Sequence, residues 1–519
     1  MFVMKIFNIV RKNTYFDSVS LMLISKQLKK LEGIEAVSVM MGTPANRVIL
    51  QEANLLNSEG DSAGANDLIM AFRAPEETDA DWVCQQIDKQ MSQKAAGGSA
   101  PDTHIIRSAQ TAYKEYPDIN LAIISVPGEY AALETYRAIK NGKNVFLFSD
   151  NVSLEEEAQL KKLAAEKGLL VMGPDCGTAI INGVGIGFAN RVRQGNVGLV
   201  AASGTGLQEV ACLLDAIGLG ISQAIGTGGR DLKEAIGAVT MLQGLEYLLA
   251  DQATETIILI SKPPAPSVAE AIINKLTGST KKVILCFIGY QDDKQADGIT
   301  VVRTLEEAAL AAARLNGVQA DLATDNEELN SWTKEKQAAL SPQQQYVRAL
   351  YAGGTLCYEA MLVMGQSLGP IYSNTPLCKE FTVTEVMLEG QHTAIDLGDD
   401  EFTRGRPHPM IDGTLRHEYI VKVAADPATA VLLLDVVIGF GASPDPAEEL
   451  IPVLKEAQAQ ARAAGNELAI VAYVCGTDED EQNKNEQVAK LKAAGAFVAK
   501  TNAEAARLAS QIVLRKEAE

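Results

Sequence analysis

Short, continuously apolar runs alternate with longer amphipathic stretches along most of this chain. A run apolar on every residue reads as a strand buried on both faces, and the amphipathic stretches between such runs read as covering helices. At the start, 3–10 is strand-like and 17–31 carries helical periodicity (Val19, Leu21, Leu23, Ile24, Leu28, Leu31). A strand at 36–41, a helix opened by Thr43-Pro44, a strand at 68–72 and a helix from Asp79 follow, predicting a small α/β sandwich, ferredoxin-like in its alternation. Gly97-Gly98-Ser99-Ala100-Pro101 punctuates the end of this part. A βαβ run comes next, with strands at 121–126, 145–149 and 169–172 and helices at 128–141 and 154–167; it closes in Gly173-Pro174-Asp175-Cys176-Gly177-Thr178. A second parallel unit is expected from strands at 197–201, 220–225, 256–260, 282–288 and 299–302. Residues 320–345 are polar and acidic without a repeating apolar face, and read as a linker or a surface helix. A third unit, with strands near 347–352, 370–373, 393–397, 430–436 and 468–474, looks like a copy of the second. The expected class is α/β, with several parallel-sheet domains behind a small N-terminal α/β domain.

Composition narrows the partners rather than the fold. With 519 residues the chain is too long for one core. Its formal charge of −20 repels nucleic acid and anionic membranes, so neither is expected as a partner. Anionic small molecules would need local basic or N–H-rich spots inside this acidic body. No apolar stretch approaches the roughly 20 residues that span a bilayer, and Met1 to Val10 is too short for a secretory signal. The seven cysteines show no paired metal spacing, so no metal is expected and the reading is reduced, structural and cytoplasmic.

Candidate chemistry starts at Ser203-Gly204-Thr205-Gly206, between the apolar run 197–201 and a helical pattern from Leu207. A buried strand that turns through such residues into a helix aims backbone N–H groups at one spot, a natural phosphate site. A similar turn returns as Gly353-Gly354-Thr355, and in both copies a Glu follows the Thr by four residues (Glu209 and Glu359). The two threonines read equally as N-caps or as ligands, and the glutamates as capping or core-edge residues. Gly228-Gly229-Arg230, at the end of another strand, is a second candidate anion contact, and the Gly-Pro turns are read first as punctuation.

Gly173-Pro174-Asp175-Cys176 with Ile180-Ile181-Asn182, then Gly195-Asn196 into Ser203-Gly204-Thr205 and Gly226-Thr227-Gly228-Gly229, follow the order of the α subunit of succinyl-CoA synthetase. That similarity covers roughly 113–310, with a weaker echo of the β-subunit ligase domain in 346–515. Asp17-Ser18-Val19-Ser20-Leu21-Met22, Ser38 to Asn46, and the run Asp396 to Asp412 extend the match, so that the chain resembles the FdrA family almost end to end. The resemblance implies these domains: 1–112 small N-terminal; 113–190 Rossmann-like, of CoA-binding type; 191–320 first flavodoxin-like synthetase domain; 321–345 linker; 346–519 second flavodoxin-like, ligase-type domain.

The departures carry chemistry too. The synthetase mechanism uses a phosphohistidine on a loop of the second domain, yet the four histidines (104, 392, 408, 417) all lie outside 197–320. No stretch resembles a nucleotide-grasp domain, and residues 1–112 stand where the glycine-rich first turn of a CoA-binding domain would be. ATP-driven phosphorylation by this chain alone is therefore not expected, CoA binding is doubtful, and no other cofactor is expected. What remains of the synthetase chemistry is acyl transfer from an acyl phosphate. The FdrA resemblance implies oxamate carbamoyltransferase: oxalurate plus phosphate giving oxamate and carbamoyl phosphate, in anaerobic allantoin breakdown, together with other subunits of a hetero-oligomeric complex. The alternative is an ADP-forming acyl-CoA synthetase that works with a nucleotide-grasp partner.

Under the transferase reading, N–H groups of Gly204, Thr205 and Gly206 and those after Gly354-Thr355 hold phosphate. Arg404, Arg406 and His408 form the sharpest basic cluster: a guanidinium fork suits the acceptor carboxylate, and Pro407 and Pro409 hold His408 as a positioned acid/base or oxyanion donor. A salt-bridge knot with Asp399, Asp400 and Glu401 is the bland alternative. Asp412 is read as orienting His408 or binding a metal. Cys357 stands at a helix N-terminus that would depress its pKa, although a buried filler is the preferred reading.

Overall fold

The computed structural model describes residues 4–95, 106 and 108–514, except 15, 17–20, 22, 23, 26, 27, 29–32, 291–297, 384–389, 404 and 405. Two compact units result: residues 1–107 with 403–407, and residues 108–402 with 408–519.

In the first unit three antiparallel strands, β1 (Met4–Arg11), β2 (Ala36–Met41) and β3 (Leu68–Pro75), lie in the order β1-β3-β2. The central β3 pairs with β1 along its whole length, Met4 opposite Pro75 and Arg11 opposite Leu68. Of the helix expected over 17–31, residues 21, 24, 25 and 28 are described, and Leu21, Ile24 and Leu28 are buried beside Val39, Met70 and Phe72; the rest lie outside the described residues.

The second unit holds three sheets. β4 (Leu121–Ile124), β5 (Asn144–Leu147) and β6 (Val171–Met172) form a parallel sheet of three. A seven-stranded sheet follows from β7 (Thr178–Ile181), β8 (Val184–Gly187), β9 (Gln194–Ala201), β10 (Ile221–Gly226), β11 (Thr256–Ser261), β12 (Lys282–Phe287) and β13 (Ile299–Val302). Its order is β13-β12-β11-β9-β10-β7-β8, so the chain reverses direction across the sheet at β9. The β7–β8 hairpin corrects the expected boundary, because residues read as part of the Rossmann-like stretch pair antiparallel with β10 instead. Its turn, Asn182-Gly183, has both residues at positive φ, the two-residue geometry that joins twisted strands.

The remaining sheet is wholly parallel: β14 (Tyr346–Tyr351), β15 (Ile371–Tyr372), β16 (His392–Asp396), β17 (Thr429–Val437), β18 (Ala469–Cys475) and β19 (Phe497–Ala499), in the order β15-β16-β14-β17-β18-β19. It is an inexact copy of the seven-stranded sheet, since both neighbours of β14 come later in the chain than β15. Helices α1 (Gly204–Ala216), α2 (Leu305–Leu315), α3 (Gly354–Leu368) and α4 (Asn502–Val513) share one core with both large sheets; Leu207, Val210, Leu356, Ala360, Met364 and Leu508 are all buried in it. In the expected linker, 326–339 is helical, with Trp332 against Phe497 at 5.0 Å between ring centroids. No helix among the described residues is long and apolar enough to cross a membrane.

Candidate functional site

Strand order reverses at β9 and at β14, and in open parallel sheets ligands sit at such points, beyond the strands' carboxyl ends. The turns after these two strands are the paired loops singled out above, and the fold brings them face to face. Ser203 Oγ lies 2.6 Å from Thr355 Oγ1, both buried, and the Thr355 N–H donates to Thr205 Oγ1 at 3.3 Å. Neither threonine caps its helix. Ser203 is the N-cap of α1, accepting from the Gly206 N–H at 2.8 Å, and Gly353 is that of α3. Thr205 and Thr355 sit one residue inside and knit the two turns together.

The turns are chemically unequal, which corrects the expectation of two equivalent phosphate holders. After β14, the N–H groups of Ala352 and Gly353 each donate to the Asp435 carboxylate at 2.7 Å, and buried Arg416 pairs with that carboxylate at 3.0 Å. Asp396 stands beside Gly354, where an added β-carbon would collide with its Oδ2. Two carboxylates thus already answer the positive end of α3. Burial pushes the Asp396 carboxyl up to about 7, while Lys262 and the Gly398 N–H draw it down. After β9 the N–H groups of Gly204 and Thr205 have no acceptor among the described residues; that of the equivalent Gly354 has none either, but there the Asp396 carboxylate stands alongside, and no carboxylate lies within 3.9 Å of where a Gly204 β-carbon would stand. Beside Gly204 lies the Thr178 hydroxyl, buried and without a hydrogen-bond partner among the described residues, 3.5 Å from where a Gly204 β-carbon would stand. Two free N–H donors and an unsatisfied hydroxyl can bind one oxyanion, so the anion site narrows to the α1 side.

Lys262, which directly follows β11, is a cation beside the start of α3. Its Nζ stands 5.1 Å from the centre of the Tyr358 ring, within electrostatic reach of Asp396 and Cys357. Sequence reasoning missed this lysine, as it did Thr178; the available signal was the position of each at a strand end near the switch point. Behind the turns, Glu359 accepts from the Leu305 N–H at 2.6 Å and Asn502 Nδ2 at 2.8 Å. Burial raises the Glu209 carboxyl to about 7 and, with Glu209 adding to it, that of Glu359 to about 8. Both are buried and face the core, away from any ligand role. Burial also raises the Cys357 thiol well above its ordinary value, which overrides the helix terminus and leaves a packing residue.

The other expected groups are dispersed. Gly228 packs against Gly173 and Pro174, Gly229 faces Asp175, and the Arg230 guanidinium is committed to Glu157 at 2.9 Å and the Val152 carbonyl at 2.7 Å. Arg404 lies outside the described residues; Arg406 is exposed in the segment 403–407, which groups with the first unit, whereas His408 belongs to the second. The His408 imidazole tilts against Phe188 at 5.9 Å, and its Nδ1 accepts from the Met410 N–H at 3.2 Å. Burial, with Arg416 nearby, lowers it to about 4, so the ring is neutral near pH 7 and carries its proton on Nε2. It can donate a hydrogen bond there, but it is not an imidazolium acid. Asp412 accepts from the Thr414 N–H at 2.9 Å and shapes the start of helix 414–424.

The family described as CoA-ligase matches residues 350–512, and the one described as AllF, heavy metal-associated domain, matches 4–105. That second stretch holds a single cysteine, Cys84. Escherichia coli K12 YahF is 44% identical over 517 residues, 98% of this chain and 99% of its own. The α subunit of the ADP-forming succinate–CoA ligase of Methanothermobacter thermautotrophicus is 30% identical over 151 residues, 28% of this chain and 50% of that one, so the chain spans half of this relative. Among solved structures, the dinucleotide-forming acetyl-coenzyme A synthetase 1 of Ca. Korarchaeum cryptofilum, in complex with phosphate and ADP, aligns over 80% of this chain and 86% of its own, at 16% identity and a TM-score of 0.31.

Proposed function

The chain belongs to the family of Escherichia coli YahF, within the succinyl-CoA synthetase-like ligases and with an AllF-related N-terminal domain, and from that premise we propose that it serves as a carbamoyltransferase subunit. The reaction is oxalurate plus phosphate giving oxamate and carbamoyl phosphate. The observation that carries this reading is an oxyanion site at the start of α1 in a chain with no histidine between Val197 and Ala320. A synthetase-like phosphate holder without a histidine to carry the phosphoryl group is left with direct transfer between phosphate and an acyl carbon. The N–H groups of Gly204 and Thr205 and the Thr178 hydroxyl bind phosphate, Lys262 offsets its charge, and His408 offers Nε2–H to an acceptor oxygen. Partner subunits complete the complex. The test is release of carbamoyl phosphate from oxalurate and phosphate by the chain with its co-purifying proteins. Thr178→Val is expected to raise the phosphate KM several-fold; full activity of an Arg406→Ala, His408→Ala double variant would sink the acceptor assignment.

The CoA-ligase match favours a second reading, an ADP-forming acyl-CoA ligase acting with a nucleotide-grasp partner. An acid-labile phosphoenzyme formed from labelled ATP in the presence of such a partner would establish it over the first.

A further inference from the structure

Resting on the carbamoyltransferase reading, we infer that Asp175 is the proton donor and acceptor at the reacting nitrogen. Asp175 stands on the turn between β6 and β7, at the carboxyl end of a parallel strand. Three residues on, that same turn places Thr178 against the open start of α1, with Gly177 Cα 3.7 Å from where a Gly204 β-carbon would be. Asp175 therefore borders the oxyanion site. Its backbone is left-handed (φ 54°), a conformation costly for a residue other than glycine and frequent where a side chain must be aimed. The neighbours on the turn, Pro174 and Cys176, are buried; the Asp175 residue reaches solvent along one side, while protein atoms crowd around its carboxyl closely enough to desolvate it. Its carboxylate has no hydrogen-bond partner among the described residues; its Oδ2 lies 3.9 Å from where a β-carbon at Gly229 would stand. The turn thus carries a free carboxyl three residues before the Thr178 hydroxyl that faces the start of α1.

The charges around it suit proton transfer. Asp400 after β16, Asp150 after β5 and Asp396 at the end of β16 face it as like charges, and Arg230 from the 226–231 turn opposes them. Desolvation first, then these carboxylates, raise Asp175 to about 7, so both protonation states are populated at neutral pH. In phosphorolysis a phosphate oxygen donates its electron pair to the ureido carbon, and the C–N bond breaks toward nitrogen. That nitrogen takes the Asp175 proton, leaving oxamate, carbamoyl phosphate and a carboxylate. In the reverse direction the Asp175 carboxylate removes a proton from the oxamate amide nitrogen as the nitrogen attacks the carbamoyl carbon and phosphate departs. Atoms and electrons balance without an oxidant or a metal.

The experiment measures carbamoyl transfer from carbamoyl phosphate to oxamate, using the full chain with its co-purifying proteins, as a function of pH. Wild type is expected to rise to a plateau through about pH 7, as the carboxylate form accumulates. Asp175→Asn is expected to lower the plateau about 10²–10⁴-fold, abolish that limb and leave phosphate binding intact. Asp175→Glu should restore part of the rate and the limb, which decides the matter even if the asparagine variant folds poorly. Transfer by Asp175→Asn at the wild-type rate with the same pH limb overturns this inference alone. No transfer by the wild-type complex overturns the carbamoyltransferase reading and this inference with it.

Discussion

Glu209 and Glu359 repeat at the same distance from their threonines, and that repeat is plain in the sequence. Their burial and protonation are not, because both depend on which helices meet. Glu359 accepts from the Leu305 N–H on α2 and from Asn502 on α4, far apart in the chain. With its carboxyl held near 8 in the fold against about 4.3 in the unfolded chain, the native state keeps a proton that the unfolded chain has lost between those values. Stability contributed by this group is full below about pH 4 and declines as pH rises toward 8, by up to about 1.4 kcal/mol per pH unit. Glu359→Gln mimics the protonated form, so urea melts at about pH 5.5, inside this window, and about pH 8.5, just above it, should show a smaller fall than wild type. A variant whose stability falls as steeply as wild type would contradict a protonated Glu359. Glu359→Ala leaves both donors unpaired and should cost about 2–4 kcal/mol.

At the scale of elements, the strand runs and their covering helices follow from apolar periodicity, and so does the presence of a turn–helix junction after β9 and after β14. What periodicity does not encode is that the two junctions differ. The start of α3 is already matched by Asp435 and Asp396, from β17 and β16, whereas the start of α1 meets Thr178 from β7. Gly354→Ala drives a methyl group into Asp396 and is expected to destabilise by about 1–3 kcal/mol. At Gly204 the nearest atom to a new methyl is Thr178 Oγ1 at 3.5 Å, an ordinary contact, so Gly204→Ala should melt close to wild type. Its methyl fills the anion spot, and the stabilisation that wild type gains from added phosphate should disappear. Retained phosphate stabilisation in Gly204→Ala would remove the anion site from α1. The Asn182-Gly183 hairpin went unread in the sequence, although Asn-Gly between apolar residues is a strong local hairpin signal; its membership in the seven-stranded sheet depends on β10, which no local signal records.

Over the whole second unit, one buried carboxylate joins parts that the chain separates by almost 300 residues. Asp480 accepts from Asn190 Nδ2 at 2.7 Å, the Arg191 N–H at 2.8 Å and the Thr477 N–H at 2.8 Å. Asp480→Ala strands two buried donors and the partly buried Arg191 N–H, and a loss of about 3 kcal/mol in denaturant melts is expected. An unchanged midpoint would mean that the two large sheets do not depend on this pin. Taken alone, the sequence determined the α/β class, the strand and helix runs, the duplicated turn and the absence of a histidine between Val197 and Ala320, because each is a local pattern or a composition. Only the tertiary structure decided that Asp435 and Asp396 answer the start of α3 while Thr178 meets that of α1, and that Arg406 and His408 fall in different units. Those outcomes depend on distant residues sharing a few ångströms, and no spacing along one chain records that.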